Sequence, residues 1–211
     1  MICAGAILAP SPLDIHTCCD RFQAQPKGLA TGQRRSQAGE TMNDQHKLQD
    51  VLRPGLRLVF CGTAAGTKSA EVRQYYAGPG NQFWRVLATT GLTPRQLAPA
   101  EFAILPDFGI GLTDMAKLQS GADNQLTCGA FDVAAMKAKL VCFQPRVVCF
   151  NGKKAAQVFF ARTDLDYGLQ PADHSPGLPG IRFFIAPSTS GAARRYWDEA
   201  RWVELKGIVG E

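Results

Sequence analysis

The sequence predicts an α/β fold, a mostly parallel sheet with helices on both faces. Three features carry that expectation. From about residue 50 onward, short apolar runs of strand character alternate with segments whose apolar residues recur at helical spacing. Most strand-like runs end in a turn rich in Gly, Ser, Thr or Asn, the junction expected where a buried strand hands over to a helix. The 211 residues are 45% hydrophobic and 19% charged, enough apolar material for one well-filled core in a domain of roughly 100–200 residues.

The first strand is "LRLVFCG" (56–62). Asn81 or its neighbour caps a helix in "QFWRVLATT", where Phe83, Trp84 and Leu87 share one face and Gly91 ends the element. "TPRQL" predicts a second helix, with Thr93 as cap and Pro94 at the first helical position. "GIGLTD" (109–114) is a short strand, and "GAFDVAAMKAKLVCF" an amphipathic helix. "PRVVCFNGKKAAQVFF" is strand, tight turn and helix. "DYGLQPADHSPGLPGI" (166–181), rich in Pro and Gly, is expected to be a surface connection. "IRFFIAPSTSGAARRYWDEARWVEL" closes the chain with strand, Ser/Gly loop and helix.

Residues 1–45 are polar, rich in Gly, Gln and Ser, and without apolar periodicity over most of their length. Such a composition does not offset the entropy of ordering, so a disordered tail is expected there and the domain over 46–211. The opening "MICAGAILAPS" is short and has no basic residue ahead of it, unlike a secretory leader. No apolar run approaches the roughly 18–20 residues of a membrane span. Seven cysteines form no Cys-x-x-Cys pair and have no His at zinc spacing. Cys61, Cys142 and Cys149 lie among apolar residues as small buried thiols, so a reducing, cytoplasmic setting is expected. His16, His46 and His174 have no ligand-spaced partners. The net charge of +5 is compatible with a nucleic-acid partner without specifying one.

Ligands of parallel sheets bind at the carboxyl ends of the strands. That rule gathers "GTAAG", "LTD", "NGK" and "APSTSG" into one crevice. "GTAAGTKS" resembles a phosphate loop, with Asp114 then in the role of a Mg²⁺-binding aspartate. Thr67 stands where that loop needs a glycine before Lys68, and "AGPG" follows too early for the long helix behind it. A nucleotide-binding enzyme is therefore the third reading of the crevice.

Read together, "GLRLVFCGTAAG", "YYAGPGNQFWRVL", "GIGLTDMAK", "QPRVVCFNGKKA" and "APSTSG" are collinear over roughly residues 50–205. This series resembles the mismatch-specific uracil-DNA glycosylases, bacterial relatives of thymine-DNA glycosylase. The most specific parts are Pro79-x-Asn81-x-Phe83-Trp84 and Phe150-Asn151-Gly152-Lys153. The resemblance implies a three-layer α/β/α sandwich and hydrolysis of the N-glycosidic bond of uracil or related damaged bases, without cofactor or metal. The expected partner is double-stranded DNA carrying uracil or a mismatched base, met by a monomer.

The resemblance also implies roles for residues. Gly62, Thr63, Ala64 and Gly66 would surround the flipped-out base, with Asn81 at the pocket and Tyr76, neighboured by Tyr75, as its stacking ring. The family's first motif, Gly-Ile-Asn-Pro-Gly, carries an Asn that positions the attacking water, but Ala64 stands at that position here. Asp114 is the best-placed replacement, because a carboxylate accepts a proton from water and stabilises an oxocarbenium-like sugar. Asp107, Asn81 and Ser69 are weaker substitutes, and a helix cap before "MAKLQ" is the structural alternative for Asp114. The last loop matches the family's second motif at Pro187 and Ser188, with Ala186 replacing its Asn and no Leu wedge; Ser188, Thr189, Ser190 and Gly191 are expected at the DNA. Arg194 or Arg195 would insert or contact phosphate, and Lys68 and Lys153 would meet phosphates. Ala64 and the weak wedge keep a rival open, a catalytically weak lesion-binding protein of the same fold.

Overall fold

The computed structural model describes residues 45–174 and 177–210; the tail expected over 1–45 lies outside them except for its last residue. Five strands, β1 (Leu58–Ala65), β2 (Ile110–Ser120), β3 (Val147–Asn151), β4 (Gly168–Leu169) and β5 (Arg182–Ala186), form one sheet in the order β2-β1-β3-β5-β4. β1 pairs in parallel with β2 and β3, and β3 with β5, whereas β4 runs antiparallel to β5. β1 and β3 are almost continuously apolar because both of their faces are covered.

The helices are α1 (Thr67–Val72), α2 (Phe83–Thr89), α3 (Val133–Phe143), α4 (Lys153–Phe160) and α5 (Glu199–Gly210). On one face Phe60 of β1 packs with Phe83, Trp84 and Leu87 of α2 and Trp202 and Leu205 of α5. On the other, Val148 and Phe150 of β3 pack with Met136 and Leu140 of α3 and Phe159 of α4. Helices therefore cover both faces of the mostly parallel sheet, as the alternation of the sequence predicts. Buried indoles tie these layers to the loops above them. Trp84 Nε1 donates to the Tyr75 carbonyl (3.1 Å), and Trp202 Nε1 to the Pro187 carbonyl (3.3 Å). Among the described residues no helix is long and apolar enough to cross a membrane.

Several local expectations are corrected. "GTAA" is the end of β1 and not a loop, since Gly62 is in register with Asp114 and Ala64 with Ala116. A segment held in a sheet ladder does not wrap a phosphate, and α1 behind it has only six residues. "MAKLQ" continues β2, so Asp114 lies within a strand and caps no helix. The outer edge of β2 is covered by residues 47–51, whose Lys47 and Val51 amides donate to the Lys117 and Leu112 carbonyls. "TPRQL" forms no helix: the Thr93 hydroxyl donates to the Arg95 carbonyl (2.9 Å) in a turn, and a 3₁₀ helix follows at Pro99–Phe108. The connection at 166–181 contributes the edge strand β4 and a 3₁₀ turn at Ala172–His174. The N-cap of α2 is Gln82, the neighbour of Asn81, and its side chain makes no cap bond; Asn81 stands one residue earlier, its Oδ1 accepting from the Phe83 amide (3.0 Å).

Candidate active site

A cleft of about 580 Å³ opens at the carboxyl ends of β1, β2, β3 and β5, where the four turn segments meet. Its floor is set by a close approach. Asp114 lies across from Gly62, and a Cβ at residue 62 would stand 2.5 Å from Asp114 Oδ1 and 3.6 Å from Tyr76 Oη. Glycine is thus required for the carboxylate to lie over β1. Asp114 is buried, yet it lines the cleft. Burial pushes its pKa up to about 6; the lysines Lys117 and Lys139 pull it down and Asp50 pushes it further up. A carboxylate that ionises near neutrality in a cleft is suited to general-base work.

Behind Asp114 lies a buried ionic cluster. Asp50 accepts from Lys117 (2.8 Å), Lys139 (2.6 Å) and the Thr113 hydroxyl (2.7 Å). The two lysines hold the Asp50 carboxyl well below its usual range despite burial. Lys117 Nζ also donates to Tyr75 Oη (3.1 Å), joining the cluster to the turn at Tyr75–Tyr76. Tyr76 adopts a left-handed backbone (φ 54°), and its ring stacks on Phe83 with centroids 3.8 Å apart. Burial and the Asp114 charge raise both tyrosine hydroxyls well above their ordinary pKa, so both stay protonated.

The far wall is a reciprocal clamp between the ends of β3 and β5. Asn151 Nδ2 donates to Thr189 Oγ1 (2.9 Å), and the Thr189 amide donates to Asn151 Oδ1 (3.0 Å). The Gln82 amide donates to the Thr189 carbonyl (2.9 Å), drawing the 77–82 and 187–191 loops together. Thr189 is consequently buried, with its side chain engaged inside the protein.

Of the residues singled out in the sequence, Gly62, Thr63, Ala64, Gly66, Tyr76, Asn81, Asp114, Lys153, Ser188, Ser190 and Gly191 line the cleft together with Thr189. Ala64 offers only a methyl group there. Ser69 also lines it, but its Oγ accepts from the Ala77 amide (3.0 Å). Lys153 lies over the Tyr167 ring (4.7 Å) and near Asp166 (3.8 Å). Lys68 is outside the lining, exposed and paired with Glu71 (3.2 Å). Asp107 is likewise outside, exposed and paired with Arg53 (3.4 Å). Arg194 packs its guanidinium against Gly80, and Arg195 lies over the Tyr196 ring (4.9 Å).

Sequence reasoning missed Asp50, Lys117 and Lys139, the turn Gly121–Asn124 after β2, and exposed Tyr196 at the cleft. Asn151 appeared in a quoted motif without a role. The aromatic ring directly after Arg194-Arg195 was the available signal for Tyr196.

The floor geometry predicts a strong effect from a single methyl group. Gly62→Ala should displace the Asp114 carboxylate and slow turnover by about 10²-fold, the scale expected for a misplacement of about 1 Å. It should also destabilise the fold by about 1–3 kcal/mol through overpacking. Single-turnover rates and urea unfolding test this, and a near-normal rate would mean either that Asp114 swings freely or that it takes no part in turnover.

Comparisons with known proteins agree with this geometry. The family model described as the uracil DNA glycosylase superfamily matches residues 49–206, which span all five strands and the cleft. A solution NMR structure of a Methanosarcina acetivorans protein, solved as a candidate uracil DNA glycosylase, shares the fold. Its TM-score is 0.53 at 22% identity, over 77% of this chain and 96% of that one. With the family model covering most of its length, the chain belongs to the uracil DNA glycosylase superfamily.

Proposed function

We propose that this protein is a monofunctional DNA glycosylase that removes uracil, especially opposite guanine, from double-stranded DNA, in the manner of the mismatch-specific branch. The observation that carries the reading is the buried Asp114 carboxylate facing the cleft above Gly62. A base inside a duplex is out of reach, so it must first be extruded into the cleft. Tyr76, backed by Phe83, supplies an aromatic wall for it. The C1′–N1 bond then breaks with its electron pair leaving on the base, and a water oxygen forms the new bond to C1′. Asp114 takes the proton of that water and its charge stabilises the electron-poor sugar. Lys153 and the arginines of the 187–197 loop face the phosphates, and the protein works as a monomer without cofactor.

A lesion-binding role is the second reading, favoured by the methyl group of Ala64 at the cleft and the small side chains of Ser190, Gly191 and Ala192. One assay separates the two. Labelled duplexes with one uracil opposite guanine or adenine are incubated with excess protein, then treated with alkali. Strand cleavage, faster opposite guanine, is the expected result. Tight binding without cleavage would establish the lesion binder instead.

A further inference from the structure

The Tyr76 hydroxyl is an unexplained feature of the cleft floor. It is buried, and no group among the described residues accepts a hydrogen bond from it. The Asn151 amide gives one N–H to Thr189 and turns the other toward the Tyr76 oxygen, so what the hydroxyl lacks is an acceptor for its own proton. An unsatisfied buried hydroxyl is costly, and Tyr76 also holds a left-handed backbone that non-glycine residues avoid unless the surroundings impose it. Both costs are borne at one place. Tyr76 Oη and Asp114 Oδ1 are the nearest side-chain oxygens to the open face of Gly62.

We infer that Tyr76 is a positioning residue whose hydroxyl, without an acceptor in this structure, turns to hydrogen-bond the Asp114 carboxylate once that group is ionised and aims it at the attacking water. This rests on the glycosylase reading and adds a role for the hydroxyl that a stacking ring alone does not need. The hydroxyl stays protonated, so it remains a donor across the working range. A donor to the charged form of a carboxyl lowers its pKa, so Tyr76 and burial act on Asp114 in opposite directions. The other groups facing Asp114 are Lys117 on its own strand, Asp50 on the 47–51 edge segment and Lys139 on α3. Tyr75 from the adjoining turn and Cys61 of β1 are also near, and both are held neutral by raised pKa values.

Tyr76→Phe removes the hydroxyl and keeps the ring on Phe83, with the thermal unfolding midpoint as the control for folding. Carbon-13 NMR titration of the Asp114 carboxyl in the free protein should show a midpoint near 6 in the wild type. In Tyr76→Phe it should rise by about one pH unit. The rate should fall about tenfold at pH 6 and at most about threefold at pH 8.5, where both proteins hold Asp114 ionised. Site-specific 3-fluorotyrosine at residue 76, a stronger donor, should move the midpoint the other way. A midpoint unmoved in both variants overturns the inference, whatever the rates do. Because the titration needs no turnover, a wild type that releases no base would sink the glycosylase reading separately, and with it the aiming of water.

Discussion

Asp114→Asn is expected to reduce single-turnover release of uracil by about 10³-fold, within the range attributed to a positioned general base, while affinity for a uracil–guanine duplex changes by less than about threefold. The amide keeps the shape of the side chain over Gly62 but accepts no proton from water. In the wild type, kcat/KM should fall in acid with a midpoint near 6, the value to which burial lifts this carboxyl. Asp114→Asn should lose that limb. A variant with near-normal rates, or one that keeps the acidic limb, would remove Asp114 from the chemistry.

The same substitution should stabilise the protein, and the sign follows from the pKa. The folded-state value near 6 is raised from the ordinary carboxyl value of 3.8. Folding therefore favours the protonated carboxyl, and that contribution is complete below about pH 4 and lost as pH rises through 6. Above pH 7 the ionised wild type carries a cost of about 3 kcal/mol, which the neutral amide relieves in part. Asp114→Asn should thus unfold several degrees higher than wild type at pH 8 and show little gain at pH 4. Stability and turnover moving in opposite directions is what a charge buried for function, and not for the fold, would produce.

The fold was legible where local pattern and tertiary environment agree. β1, β3 and β5 are apolar runs because both of their faces are covered, and α2 begins just after Asn81, whose side chain holds the Phe83 amide through a contact that depends on adjacent residues alone. It was not legible where long-range pairing overrode local preference. "MAKLQ" has helical propensity but extends β2, because β1 and the 47–51 segment supply backbone partners on either side. Thr93 and Pro94 form a fair helix start, yet the Thr93 hydroxyl stabilises a turn with Arg95. At the site, the type and position of Asp114 were readable from the end of "GIGLTD". Its burial was not, nor was the Asp50 cluster, whose members come from an edge segment, β2 and α3 and meet only in the folded chain.

Asp50→Asn should be among the most damaging single changes for stability. Asp50 is the shared partner of two buried lysines, at 2.8 Å from Lys117 and 2.6 Å from Lys139. Without its charge both ammonium groups lose the carboxylate they are hydrogen-bonded to, leaving Asp114 as the nearby anion, and breaking a buried pair in this way costs about 3–5 kcal/mol. A fall in Tm of about 10 °C follows for a domain of this size. Salt should restore little, since buried charges are poorly screened. Lys139→Met should cost less, because it leaves Asp50 with Lys117 and Thr113. The wild-type pair also fixes the acid behaviour: Asp50 has a depressed pKa, so its contribution is present above about pH 4 and lost as pH falls toward its folded value. Activity should respond in the opposite sense to stability. Asp50 is a like charge that raises the Asp114 pKa, and its removal leaves the lysines free to lower it. In the folded fraction of Asp50→Asn, the acidic limb of kcat/KM should therefore move below 6. A limb that stays in place while Tm drops would confine the cluster to a structural role; one that moves would make the buried lysines part of how this chain keeps its carboxylate charged.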